Sequence, residues 1–225
     1  MAYRKTEFVE RKRLETRARI VEAAVGQVTR GGWRACVLKS IAREAGVSTG
    51  AIYTHFERVT DLYIEAFSTI AEQELAVIGS IVDGSGAPPV RLAAAVETFM
   101  ARALRGPARA YAVIEEPVAP EVDRVRQLFR RRFVLLFEKI IRDGVALRVF
   151  PPQNAEVSAA CALGAMAEAL IPPLASGRRQ SAESVEQLRA DVLAFCRRAV
   201  GETGKPVTKQ TITAAREGAN DRTID

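Results

Sequence analysis

Apolar residues recur along most of the chain at spacings of three and four, the period of an amphipathic helix. A first helix is predicted over residues 9–30 by Leu14, Ala18, Val21, Val25 and Val28. Gly31 and Gly32 are expected to end it, because glycine is the least strained residue at a helix C-terminus. A short second helix is predicted by Leu38, Ile41, Ala42 and Ala45, and a short third helix extends from Ser48 to Phe56.

Longer helices are predicted beyond Thr60, over residues 61–78, 90–104, 108–116, 120–142, 155–171 and 182–200. In the helix over 120–142 the positions expected to face inward are Val125, Leu128, Phe129, Phe133, Leu136 and Ile140, and Asp143-Gly144 is expected to interrupt it. No stretch shows sustained period-two alternation, so no strand is predicted. Residues 201–225 are polar and predict a disordered tail. The fold class is therefore all-α.

Positive charge is concentrated at the start of the chain. The net charge is +6, and residues 1–60 carry twelve Lys/Arg against six Asp/Glu, whereas the remainder is balanced. This excess predicts a polyanionic partner for the first quarter of the chain. A basic helix lying on a membrane surface is the competing interpretation. It is less favoured, because the apolar face carries mostly Ala and Val and the two short helices follow at once.

The two short helices and the tight turn between them predict a helix-turn-helix. Gly46 can adopt a positive φ at the turn, and Ser48 is placed to cap the third helix. Small residues would let that helix enter the major groove of double-stranded DNA, so Thr49, Gly50 and Ala51 are candidate base contacts. Ser48, Tyr53 and His55 complete this part of the predicted DNA-binding set, with Tyr53 and His55 reaching phosphates. A core role for Tyr53 and a solvated helix end for His55 remain open alternatives.

From about Thr16 to Phe67 the sequence resembles the tetracycline-repressor (TetR) family. The resemblance is carried by Thr16-Arg17, Ala23-Ala24, Gly32-Trp33, Ile41-Ala42, Ala45-Gly46-Val47-Ser48, Ile52-Tyr53, Phe56 and Asp61-Leu62. It implies a helix-turn-helix DNA-binding domain over 1–60 and a helical ligand-binding and dimerisation domain over 61–200. It also implies a homodimer on a palindromic operator, and repression relieved by a small-molecule effector.

Two positions depart from the family pattern. The lysine that commonly follows the recognition helix is replaced by Val59, so Arg58 is the candidate for that phosphate contact, and Thr60 is a candidate cap for the next helix. Val37 stands beside Cys36 where the family favours threonine, so the second helix lacks its usual cap. Lys39 remains available for a phosphate.

The second half of the chain offers a dimer surface and an effector pocket. Small or apolar faces on the last two helices are formed by Val157, Ala160, Cys161 and Gly164, and by Leu188, Val192, Phe195 and Ala199. Intrachain core is the alternative. Candidates for an apolar pocket lining are Phe99, Met100, Tyr111, Phe129 and Phe133. A hydrophobic effector is expected.

Two charged segments allow more than one interpretation. Glu115-Glu116 could bind a cation or a ligand, although a solvated loop is favoured. Arg130-Arg131-Arg132 is interpreted as a mostly solvated face, from which one guanidinium could meet an anionic group of a ligand.

Enzymatic, metal and membrane functions are not favoured. His55 is the single histidine, and no phosphate loop or nucleophile motif occurs, so neither catalysis, a cofactor nor a metal site is predicted. The three dispersed cysteines are interpreted as small core residues rather than redox sensors. The charged N-terminus and the absence of long apolar runs predict a cytoplasmic protein without a membrane partner. A ligand-independent architectural DNA binder is disfavoured by the large second half.

Overall fold

A computed structural model describes residues 2–176 and 181–202 and contains nine α-helices and no strand within those ranges. The helices are α1 (Ala2–Gly31), α2 (Leu38–Ala45), α3 (Thr49–His55), α4 (Val59–Val82), α5 (Pro88–Arg105), α6 (Pro107–Ile114), α7 (Pro120–Ala146), α8 (Ala155–Ala175) and α9 (Ala182–Ala199). The all-α prediction is confirmed. Of the predicted tail, only Gly201 and Glu202 are described, and the Glu202 carboxylate pairs with Arg197 at 2.6 Å. The rest of the tail lies outside the described residues.

The helices form two neighbouring cores. The smaller core joins α1, α2 and α3 to the start of α4, and its buried residues include Ile20, Ile41 and Ile52. The larger core is built from α4 to α9 around Phe67, Phe137 and other apolar side chains. Helix α4 therefore contributes to both cores and connects the N-terminal helices to the rest of the described chain.

Helix α1 begins earlier than predicted, and part of its predicted apolar stripe is exposed. Leu14 is 59% exposed and Ala18 is also exposed, whereas Val21 and Val28 are buried. The N-terminal half of α1 extends past the smaller core, so Leu14 and Ala18 remain exposed. The periodicity predicted the helix correctly but not which turns of it would be covered.

Helix α7 also departs from the prediction. It continues through Asp143-Gly144 to Ala146, so the predicted interruption is wrong. The Phe150 ring packs against Gly144 so closely that a Cβ there would lie 2.0 Å from its Cδ2 atom. Glycine is thus required by packing rather than by a helix end. Leu128, predicted to face inward, is 64% exposed.

Helix α8 passes through Pro172-Pro173 instead of ending at Ile171. By length and composition alone it could span a membrane, with a mean hydropathy of 1.5, and it is the only such helix in the described ranges. Its residues Ala159, Leu163, Met166 and Leu170 belong to the larger core. Core helices pass the same test of length and composition, and 39% of this apolar window is buried.

The cysteines do not all lie in the core. Cys36 and Cys196 are buried, and this burial raises the pKa of Cys36 to about 12 and that of Cys196 to about 11. Cys161 is exposed, so the prediction of three core cysteines is wrong for this residue. It lies on the face of α8 that points away from the core.

Candidate DNA-binding surface and effector cavity

The helix-turn-helix is built as the local sequence predicted. Gly46 closes α2 with φ 67 and ψ 37, a left-handed conformation that glycine adopts without strain. The Ser48 hydroxyl accepts a hydrogen bond from the Ala51 backbone N–H at 3.1 Å and caps α3. Ile52 and Phe56 are buried and pack α3 against the smaller core.

The outer face of α3 is open to solvent. Thr49, Gly50 and Tyr53 are exposed, and Ala51 is half-buried. Tyr53 is 53% exposed, which excludes a core role for this ring within the chain. Short side chains therefore lie at the N-terminal end of the helix, and an aromatic hydroxyl projects from its middle.

His55 ends α3 in a positively charged setting. The side chain is half-buried, and its Nδ1 atom is buried without a hydrogen-bond partner among the described residues. Burial, and then the charges of Arg13 and Arg17, lower the pKa of His55 below the ordinary histidine value. Sequence reasoning did not assign Arg13 and Arg17 to the DNA-binding set, although both contribute to the basic excess of this region.

Arg58 has a partner of its own. Its guanidinium Nη2 donates to the Asp61 carboxylate at 2.9 Å, and its backbone N–H donates to the same carboxylate at 3.1 Å. Asp61 therefore caps α4, and the predicted cap by Thr60 is wrong. The Arg58 side chain is still largely exposed, as is Lys39, so both can meet solvent or a phosphate.

A buried carboxylate connects the helix-turn-helix to the larger helical body. Glu116, which is 3% exposed, accepts hydrogen bonds from the backbone N–H groups of Trp33 at 2.8 Å and Arg34 at 3.1 Å. The Trp33 indole N–H donates to the Ala112 carbonyl in α6 at 2.9 Å. Glu115 is exposed, so the solvated-loop interpretation holds for it and is wrong for Glu116.

Gly32 and Arg126 complete this connection. Gly32 has φ 71, and a Cβ there would lie 2.4 Å from the Glu116 carboxylate, so only glycine allows the carboxylate this close to the backbone. On the other side, the Arg126 guanidinium donates to the Glu116 carbonyl at 2.6 Å and the Ala112 carbonyl at 3.3 Å. One loop is thus held from both the N-terminal helices and α7.

A cavity lies among α4, α5, α6, α7 and α8. It encloses about 810 Å³ of atom-free space, its open mouth included, and its apolar wall includes Phe67, Phe99, Phe129, Phe133 and Leu163. Phe67 also stacks on Trp33, with ring centroids 6.5 Å apart. The cavity wall therefore contacts the residue that Glu116 holds at the start of the helix-turn-helix.

The predicted pocket residues divide into two groups. Phe99, Phe129 and Phe133 line the cavity, whereas Met100 is fully buried and Tyr111 is half-buried, and neither lines it. Helical periodicity identified Met100 as inward-facing. It could not distinguish a side chain that contacts other core atoms from one that borders empty space.

The cavity also has charged walls that the apolar pattern did not reveal. Glu74 is held by Arg102, through bonds of 2.6 and 2.9 Å, and by Arg109. Arg126 and Arg130 line another part of the wall. The feature of the sequence that indicated this charge was the run Arg130-Arg131-Arg132, from which one guanidinium could meet an anionic group of a ligand.

The outer faces of α8 and α9 expose apolar and small side chains. Val157 is 55% and Phe195 is 46% exposed. Apart from the adjacent backbone of α8, no atom of the described chain lies within 4 Å of the position that a Cβ would occupy at Gly164. Val192, predicted to lie on this face, is instead buried in the larger core. Val192 and Phe195 lie three residues apart on neighbouring stripes of α9, so the rotation of the helix about its axis places the edge of its buried face between them.

The described chain thus joins a basic helix-turn-helix to a helical body that contains a cavity. Residues 20–66 match the model of the bacterial regulatory proteins of the tetR family. The matched segment, which contains the helix-turn-helix, therefore belongs to the DNA-binding domains of this family. The chain is 26% identical over 136 residues to the HTH-type transcriptional repressor KstR of Mycolicibacterium smegmatis. That match covers 58% of this chain and 65% of the length of the curated relative.

Solved structures share the fold over most of the chain. A TetR/AcrR-family regulator from Thermobifida fusca is 24% identical, with a TM-score of 0.63 over 80% of this chain and 97% of the other. FadR from Bacillus subtilis, solved in complex with stearoyl-CoA, is 16% identical, with a TM-score of 0.67 over 83% of this chain and 99% of the other. Identity at this level shows that the fold is shared.

Proposed function

We propose that this TetR-family regulator is a cytoplasmic homodimeric repressor, released from a palindromic operator when a small apolar effector occupies the cavity. The observation that carries the proposal is the contact between the cavity and the helix-turn-helix. Phe67 borders the cavity and stacks on Trp33, whose backbone is bound by Glu116. The repressor function of the relative KstR and the stearoyl-CoA bound to FadR support the two halves of the proposal.

In this proposal residues 1–60 bind DNA, and residues 61–200 bind the effector and the second subunit. Thr49, Gly50 and Ala51 contact base edges, because they form the small N-terminal face of α3. Phosphate contacts are assigned to Lys39, Ser48, Tyr53, His55 and Arg58. The Arg58 guanidinium can bind a phosphate only if it contacts Asp61 and the phosphate at the same time, or if its hydrogen bond to Asp61 breaks.

The second subunit covers the outer faces of α8 and α9. Exposed Val157 and Phe195 would otherwise remain in water, at a free-energy cost that burial against a second copy removes. The open space at Gly164 permits close approach of another helix. Two-fold symmetry then places two recognition helices roughly 34–36 Å apart, or a multiple of that distance, to match a palindromic site.

Release would follow from movement of α6 and of the loop that contains Glu116. An effector that displaces the Phe67 ring or α6 disturbs the Trp33 contacts and turns α1 to α3 relative to the body. Such a change in only one subunit alters the separation of the recognition helices. Coupling between two sites of this kind is typically worth about 1–3 kcal/mol.

Selection from random DNA duplexes tests the DNA-binding part of this proposal. Thr49→Ala should change the preferred base at one position per half-site, with roughly 1–3 kcal/mol of discrimination lost. Tyr53→Phe removes only a hydroxyl and should weaken binding to all sequences equally, so it is the matched control. If no inverted repeat is enriched, or if both variants shift base preference alike, these assignments are wrong.

A further inference from the structure

The charged part of the cavity wall is strongly asymmetric. Four arginines line it, namely Arg102, Arg109, Arg126 and Arg130, against the single acidic residue Glu74. Arg102 and Arg109 both bind Glu74, so its negative charge is already shared between two cations. Arg126 is paired with Asp123, whereas Arg130 forms no ion pair within the described ranges, so the cavity carries an excess of positive charge beside an apolar wall, where electrostatic attraction is stronger than in water.

Arg126 carries a hydrogen-bond donor that nothing in the described chain accepts. Its two terminal nitrogens are occupied by Asp123, the Ala112 carbonyl and the Glu116 carbonyl. The Nε–H group is buried and has no hydrogen-bond partner among the described residues. A buried donor without an acceptor is unfavourable, so an acceptor supplied by a ligand would stabilise it.

Arg130 lies one helical turn after Arg126 on α7, and so on the same face of the helix. It is exposed while lining the cavity, and no ion pair is formed by it within the described ranges. Its guanidinium is thus available where the cavity meets solvent. Phe129 and Phe133, at neighbouring positions of the same face, supply the apolar wall beside the two arginines.

We propose that the effector is an amphipathic carboxylate, with its apolar part between Phe99, Phe129 and Phe133 and its carboxylate bound by Arg126 and Arg130. This inference rests on the proposed function and specifies the class of ligand for the same cavity. Arginine suits this role because its planar guanidinium remains charged and presents several donors to a carboxylate. A neutral apolar ligand would leave both the Arg126 donor and the positive charge unmatched.

The test compares ligands that share a carbon skeleton and differ only at the head. Decanoate and 4-phenylbutanoate are titrated into the full-length protein, each beside its methyl ester and its primary alcohol. The ester keeps a carbonyl acceptor and lacks charge. Trp33 is the single tryptophan and stacks on Phe67 of the cavity wall, so its fluorescence reports binding. Each carboxylate should bind about tenfold more tightly than its ester, as expected for a charge-assisted hydrogen bond.

Two neighbouring arginines provide a matched pair of variants. Arg130→Gln should weaken carboxylate binding by about tenfold and leave ester binding unchanged. Arg131→Gln removes the same charge from an exposed position that does not line the cavity, and should alter neither. Arg126→Gln should also weaken carboxylate binding. Arg126 holds the Glu116 loop, so thermal unfolding of Arg126→Gln is measured first to establish that this variant is folded. If it is not folded, the comparison of Arg130→Gln with Arg131→Gln decides the test.

The inference is overturned if the esters or alcohols bind as tightly as the carboxylates, if Arg130→Gln and Arg131→Gln act alike, or if no carboxylate of the set binds. Operator release, measured by gel shift with the selected duplex, separates this failure from failure of the proposed function. Esters that bind and release DNA as well as the carboxylates would leave the proposed function intact while refuting the anionic head group.

Discussion

The contact between Glu116 and the backbone of Trp33 and Arg34 makes the sharpest prediction about stability. In Glu116→Gln the side chain keeps its size and loses its charge. The amide oxygen can accept one of the two backbone N–H groups, at present 2.8 and 3.1 Å from the carboxylate oxygens. The amide NH₂ then faces the other N–H, and two donors cannot bond to each other.

The magnitude follows from this geometry. Glu116 is 3% exposed, so water cannot readily replace the lost acceptor. A hydrogen bond to a charged group is worth about 1.5–3 kcal/mol, and an unsatisfied buried donor costs about 1–3 kcal/mol. Glu116→Gln should therefore lower the free energy of unfolding by about 2–4 kcal/mol. Glu116→Ala, which loses both acceptors, should lower it further.

Urea unfolding monitored by Trp33 fluorescence measures this effect, because the indole lies directly at the contact. Glu115→Gln is the matched control, since it removes the same charge from the adjacent exposed position. It should change the free energy of unfolding by less than about 0.5 kcal/mol. If Glu116→Gln is no more destabilising than Glu115→Gln, the carboxylate does not hold the two parts together and the reasoning is refuted.

Three further predictions concern packing, assembly and pH. Gly144→Ala should destabilise the fold by about 1–3 kcal/mol, because its Cβ would overlap an aromatic ring at 2.0 Å. The control Gly79→Ala, whose Cβ would meet only one atom at 4.0 Å, should not destabilise the fold in this way. Equal unfolding midpoints for the two variants would contradict the prediction. Phe195→Glu should yield monomers in sedimentation, while the control Leu147→Glu, at a more exposed position outside α8 and α9, remains dimeric; a monomeric unmodified protein would exclude the dimer. The pKa of His55, lowered in the free protein, should rise when a phosphate approaches, so operator affinity should increase as pH falls and should keep increasing below the ordinary histidine pKa of about 6.5; an NMR titration that gives the same pKa with and without operator would rule out the contact.

The local features of the DNA-binding surface could be predicted from sequence because they depend on residues close together in the chain. The turn at Gly46 requires a positive φ. The Ser48 cap requires a hydroxyl three residues before the backbone N–H from which it accepts a hydrogen bond. The short side chains of α3 identify its outer face as soon as Ile52 is recognised as buried. The effector cavity was only partly predictable, because an inward-facing residue such as Met100 can border other atoms instead of empty space.

The sequence by itself therefore determined the helices, the helix-turn-helix and the location of the positive charge, since these follow from periodicity, capping and composition. Tertiary structure alone decided which apolar faces are covered: Leu14 and Leu128 share the helical period of buried residues but are exposed, whereas Val192 is buried in its own chain. It also decided the partners of charged residues far apart in sequence. Glu116 meets the Trp33 backbone 83 residues away, a pairing set by how α6 packs against α1, which no local pattern encodes.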